Sequence, residues 1–115
     1  YIDGSGEHGI IAQNTNGSKY EDKWEGARQY CQTLELNTKT DWRLPTLEQM
    51  YLINKEYVNS ELLRKSIPNG FYWTRSEKKQ NWAVTTNMYW IDLYSKMVSW
   101  SIKKNLKMVL PIRLF

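Results

Sequence analysis

The sequence predicts an α+β domain, and three observations carry that prediction. Two amphipathic, helix-period segments lie in the first half of the chain. The second half is dense in Trp, Tyr, Val, Ile and Thr, broken into strand-length runs. A Gly-rich hairpin at the N-terminus adds strand at the other end of the chain. With 115 residues, six Trp, eight Tyr and two Phe, the chain has the material for one well-filled core and not for two, so a single domain over residues 1–115 is expected, with the start of the first strand left open.

Taken in order, Tyr1-Ile2-Asp3 and Gly9-Ile10-Ile11-Ala12 flank a turn whose glycines supply positive φ angles, which reads as a hairpin. Residues 14–19 form a polar connecting loop. Asp22 with Glu25 resembles a capping box, and Trp24, Ala27, Cys31 and Leu34 recur on one face, so a helix is expected over 23–36. Thr46 with Gln49, directly after Pro45, starts a second helix that Leu47, Met50, Tyr51 and Ile53 carry to about residue 57. Asn59 or Ser60 caps a short further turn with Leu62 and Leu63, and Pro68-Asn69-Gly70 ends the helical part. Strands are then expected at 71–74, 82–86, 89–94, 97–103 and 108–114. Val98, Trp100 and Ile102 alternate with Ser99, Ser101 and Lys103, the pattern of a strand with one buried face.

Charge is distributed unevenly. Residues 1–62 hold six Lys/Arg against ten Asp/Glu and residues 63–115 hold ten against two, so the second half is strongly basic. No apolar run approaches the length of a membrane helix, and the start at Tyr1 has no charged-then-apolar leader profile, so any targeting segment is expected to have been removed. One Cys and one His do not stock a zinc site. Gly4-Ser5-Gly6-Glu7-His8-Gly9 spells G-x-G-x-x-G, but a strand follows it where dinucleotide binding needs a helix, so it is read as a turn. Asp3, Ser5 and Glu7 fall short of a calcium loop, and no metal or cofactor is expected. Cys31 and His8 could in principle serve as nucleophile and base, but Cys31 lies on the apolar stripe and is read as a buried thiol, and no pair of convergent acids is signalled, so the chain is not expected to be an enzyme.

The segment Asp41-Trp42-Arg43-Leu44-Pro45-Thr46 packs an aromatic anchor, an arginine and a helix cap into six residues. It resembles the DWRLPT signature of the Lcl C-terminal domain family (DUF1566), named for a collagen-like bacterial adhesin. Trp24, Ala27, Tyr30 and Cys31 are similar to the family's W-x-x-A-x-x-Y-C helix. Tyr72-Trp73-Thr74-Arg75-Ser76-Glu77 resembles its Y-W-T-S-S/T-E strand, residues 109–115 its closing V-R-C-V-R run, and residues 6–12 its opening hairpin. The resemblance implies a variant of the C-type-lectin-like fold, two main helices packed on short twisted antiparallel strands. It also implies an extracytoplasmic setting, on a cell surface or secreted, and, in the adhesin, binding of sulfated polysaccharides. The chain departs from the family at Leu110-Pro111, where Arg-Cys is usual, so Cys31 is expected to be a free thiol. The Glu-Pro-Asn and Trp-Asn-Asp tripeptides of calcium-dependent lectins are missing, so calcium-dependent sugar binding is not expected.

Two groups of residues follow. Trp24, Cys31, Asp41, Trp42, Arg43, Leu44, Pro45, Thr46, Trp73 and Arg113 are assigned to the scaffold, with Arg43 expected half-buried and paired with Asp41 or Glu48. Arg75, Lys78, Lys79, Trp82, Tyr89, Tyr94, Lys96, Lys103, Lys104 and Lys107 are the candidate ligand-binding residues, because aromatic faces stack on sugar rings while cations attract sulfate, phosphate or carboxylate. The expected partner is an anionic glycan, or a host or partner surface protein, with self-association open; neither nucleic acid nor membrane insertion is expected. The alternative function is a structural or protein-binding module of a pilus, phage fibre or surface assembly.

Overall fold

In the computed structural model, which describes residues 1–2, 4–15, 17–88 and 98–115, two short strands, three consecutive helices and then five strands make the expected α+β chain. The order is β1 (Ile10–Ala12), β2 (Glu21–Asp22), α1 (Trp24–Thr33), α2 (Leu47–Asn59), α3 (Glu61–Ser66), β3 (Gly70–Lys79), β4 (Trp82–Met88), β5 (Val98–Ile102), β6 (Lys107–Met108) and β7 (Ile112–Leu114). β1 pairs with β7 in a two-stranded sheet that ties the two ends of the chain together. The other strands form a five-stranded sheet in the order β2-β6-β3-β4-β5. Its pairs are antiparallel except β3 with β6, which run parallel through Tyr72 and Met108, a departure from the all-antiparallel expectation. That contact needs Gly70, whose φ of 147° lies where side chains are disfavoured and where a Cβ would sit 2.5 Å from the Met108 sulfur.

Capping explains where the helices start. The Thr46 hydroxyl accepts from the Gln49 N–H at 3.1 Å and the Gln49 side chain accepts from the Thr46 N–H at 2.8 Å, the expected capping box. Ser60 caps α3 through the Leu63 N–H. The first helix differs from expectation. Its N-cap is Lys23, which makes no side-chain cap bond, and the Asp22 carboxylate instead accepts from the Lys23 N–H at 2.7 Å. It also stops at Thr33, because Leu34 is already extended. The strand expected over 108–114 is broken in two. Leu110 and Pro111 are buried between β6 and β7, and proline brings no N–H to a ladder. The strand expected over 89–94 lies outside the described residues.

Adjacent residues of β3, and the last residue of β6 with the one after it, feed two cores. Tyr72 and Met108 enter a cluster with Ile10, Met50, Ile53, Tyr57, Ile67, Leu110 and Ile112 under α2. Trp73 and Val109 enter another with Trp24, Ala27, Cys31, Leu44 and Ala83 under α1. Successive side chains of a strand point to opposite faces, so the middle of the sheet is buried on both sides, one helix to each. Two indoles lock the α1 side crosswise. Trp24 Nε1 donates to the Thr74 carbonyl at 2.9 Å, and Trp73 Nε1 donates to the Asp22 carbonyl at 2.8 Å. No helix among the described residues is long and apolar enough to cross a membrane.

Candidate functional site

The scaffold residues sit as their chemistry requires, with one exception. Trp24, Cys31, Trp42, Leu44, Pro45 and Trp73 are buried. Arg113 donates to both carboxylate oxygens of Asp41, at 2.8 Å from Nε and 3.4 Å from Nη2, and this hydrogen bonding holds the Asp41 carboxyl below the usual carboxylate range. Arg43 is the exception. Its side chain is exposed and has no ion pair among the described residues: Arg113 occupies Asp41, and Glu48 is not paired with Arg43 either. What Arg43 gives the fold is backbone: its N–H donates to the Ile112 carbonyl and its carbonyl accepts from the Ile112 N–H, both at 2.9 Å.

Those backbone bonds place the side chain where it meets others. The Arg75 N–H donates to the Pro45 carbonyl at 2.8 Å, which fastens β3 to the turn carrying Arg43. Arg28, on the exposed face of α1, approaches from a third direction, with its guanidinium 5.1 Å above the buried Trp24 ring. Arg28, Arg43 and Arg75, with Gln32 and Leu44, line a cavity of about 130 Å³. One carboxylate attends the three cations, Glu25, which contacts Arg28 at 3.2 Å from the exposed side of the helix.

Lys103 also rests on Trp24, its ammonium 4.2 Å from the centre of the same indole and in contact with the Glu77 carboxylate. The Trp24 N–H donates to the Lys103 carbonyl at 3.0 Å, which seats the β5–β6 connection on the start of α1. Lys103 and exposed Lys104 border a second recess of about 270 Å³ with Asn81, Trp82 and Ile102. Trp82 is half-buried there, and Lys104 has no ion pair among the described residues. Lys107 borders a third recess with Lys19, Glu21 and Phe71, its ammonium 5.3 Å over the Phe71 ring.

The ten candidate binding residues are therefore not one continuous rim. Trp82, Lys103 and Lys104 meet, Arg75 joins two arginines outside the list, and Lys107 borders a recess that shares no lining residue with either. Lys78 and Lys79 occupy the last two positions of β3. Tyr89, Tyr94 and Lys96 lie outside the described residues. Sequence reasoning missed Arg28 and gave Arg43 a purely architectural role. The one local signal was Arg28 and Gln32 on the polar face of α1, four residues apart, and it resembles any solvated helix face.

Cys31 is buried among Trp24, Leu44 and Trp73, and burial pushes its thiol up to about 12. His8 is exposed, beside Tyr1, Gln49, Leu52 and Leu114. Among the described residues no three His, Cys, Asp or Glu side chains gather as a metal site, and Asp3 is not among them. No curated protein matched the sequence in a search. The family model of the Lcl C-terminal domain matches residues 7–113, nearly the whole of the fold just described, and the chain belongs to that family.

Proposed function

We propose that this chain is a non-enzymatic binding domain of C-type-lectin-like character, displayed on a bacterial surface or secreted, that recognises anionic polysaccharide through the basic, aromatic-bearing surface of its C-terminal half. The observation that supports this reading best is the recess of Trp82, Lys103 and Lys104. It sets a half-exposed indole beside an exposed ammonium that no described carboxylate neutralises. A sugar ring stacks on the indole, and a sulfate or carboxylate on that sugar reaches the ammonium. Lys103 contributes mainly by stiffness, since Glu77 and Trp24 hold its ammonium.

The alternative is a structural or protein-binding module of a pilus, phage fibre or surface assembly, and it draws on Ile102 and Leu106, exposed apolar side chains near the same recesses. Salt separates the two. On immobilised heparin and chondroitin sulfate, retention is expected at low ionic strength and to fall steeply with added NaCl, with no retention on neutral dextran. Lys104→Gln is expected to elute earlier than the parent protein. Failure of the parent protein to bind either resin at low salt would remove the polysaccharide reading.

A further inference from the structure

The geometry points to a discrete oxyanion subsite in the cavity of Arg28, Arg43 and Arg75, one that takes a single sulfate or carboxylate group and recognises it by guanidinium geometry and not by charge alone. Three cationic side chains arrive from three separate parts of the chain, an α-helix, the turn before α2 and the long strand β3, at a space of about 130 Å³. Like charges brought together repel one another, and the local compensation is one exposed carboxylate, Glu25, on Arg28 alone. Arg43 and Arg75 have no side-chain ion pair among the described residues, while their backbones are pinned by hydrogen bonds to Ile112 and Pro45. The pinned backbones fix where the two unneutralised side chains start, so an arriving anion has only the guanidinium arms left to order.

The size of the cavity narrows the ligand. A volume of 130 Å³ is about four times the share of one water molecule in the liquid. That space suits one tetrahedral or planar oxyanion with its nearest waters, the rest of a larger ligand lying outside the recess. Buried Leu44 forms an apolar wall, and the Gln32 amide adds a neutral donor and acceptor. Arg28 is further braced by its seat on the Trp24 ring. Planar guanidinium forks match the paired oxygens of carboxylate, sulfate or phosphate, whereas an ammonium is a point charge without that match. The inference rests on the proposed function only for the source of the oxyanion, which would be a substituent of the acidic polysaccharide; the pocket itself stands on its own geometry.

The test titrates the protein at constant ionic strength with sodium sulfate, and separately with sodium phosphate and sodium glucuronate, while the arginine side-chain Nε–Hε resonances are followed by NMR. A saturable shift of three arginine resonances is expected. Sulfate outranking glucuronate would name an ester sulfate as the natural group, and the reverse order a uronate carboxylate. The charge-conserving substitutions Arg43→Lys and Arg75→Lys are expected to weaken binding about tenfold or more each. Their urea midpoints should stay at the parent value, since both side chains are exposed. Absence of any saturable response, or lysine variants that bind the oxyanion as the parent does, would overturn the subsite. Oxyanion binding without retention on heparin or chondroitin sulfate would leave the subsite standing and remove the polysaccharide reading, and retention with no oxyanion response would do the opposite.

Discussion

Trp24 joins the first helix, the sheet and the basic surface, so replacing it with phenylalanine tests how those parts are held together. The indole is 2% exposed, its Nε1 donates to the Thr74 carbonyl at 2.9 Å, and two cations rest on its ring. Trp24→Phe keeps an aromatic ring in place but deletes the donor, leaving a buried carbonyl short of a partner at a cost of about 1–2 kcal/mol. The smaller ring buries about 40 Å² less apolar surface, roughly 1 kcal/mol at ~25 cal/mol per Å². Weaker cation–π contact with Arg28 and Lys103 adds about 0.5 kcal/mol. The expected destabilisation is about 3 kcal/mol, which for a domain of this size lowers the melting midpoint by about 12 °C. Urea unfolding followed by far-UV circular dichroism measures it. A loss under about 1 kcal/mol would refute the reasoning, because the indole hydrogen bond and the tight packing could not then both be real.

Three other outcomes follow from the geometry. Asn37 and Thr38 have φ values of 51° and 65° in a two-residue turn closed by hydrogen bonds between Leu36 and Lys39, so Thr38→Gly should relieve a β-branched residue and stabilise the chain by about 1 kcal/mol; a lower urea midpoint in the variant would contradict this. The Cys31 thiol, buried and pushed up to about 12, should react with a disulfide probe at pH 8 only as fast as the domain opens, and immediate stoichiometric labelling of the native chain would show the burial to be wrong. Because hydrogen bonds from Arg113 lower the folded-state value of Asp41, the stability this pair contributes is fully present above the ordinary carboxylate range and is lost as pH falls through the lowered value. Asp41→Asn should therefore flatten the acid limb of the urea midpoint against pH, and an unchanged limb would show that the pair is not formed in solution.

Much of the fold was legible locally. The Thr46–Gln49 cap, the Ser60 cap and the apolar stripe of Trp24, Ala27 and Cys31 each appear in the structure, since capping and helical period act within a few residues. Local reasoning failed where a local rule met a distant partner. Asp22 looked like a cap, yet its neighbours Glu21 and Tyr20 draw it elsewhere: Glu21 pairs with Met108 in the sheet, and the Tyr20 hydroxyl donates to the Asp22 carboxylate at 3.0 Å. Burial and, after it, that hydrogen bond push the Tyr20 hydroxyl up to about 12. Residues 108–114 looked like one strand because five apolar residues run from 108 to 112 and Leu114 follows, but Pro111 interrupts its hydrogen bonding.

By itself the sequence determined an α+β chain of the Lcl C-terminal domain family, with a basic second half and a turn of Trp42, Arg43, Leu44 and Pro45 leading into a capped helix. Only the tertiary structure decided which cations meet. Arg113 took Asp41, one of the two carboxylates offered to Arg43, and the bonds from Arg75 to Pro45 and from Arg43 to Ile112 brought positions 28, 43 and 75 to one cavity. Charge read along a chain has sign but no direction. Direction comes from backbone hydrogen bonds between residues far apart in sequence, and those exist only once the sheet and its two helices have closed around Tyr72 and Trp73.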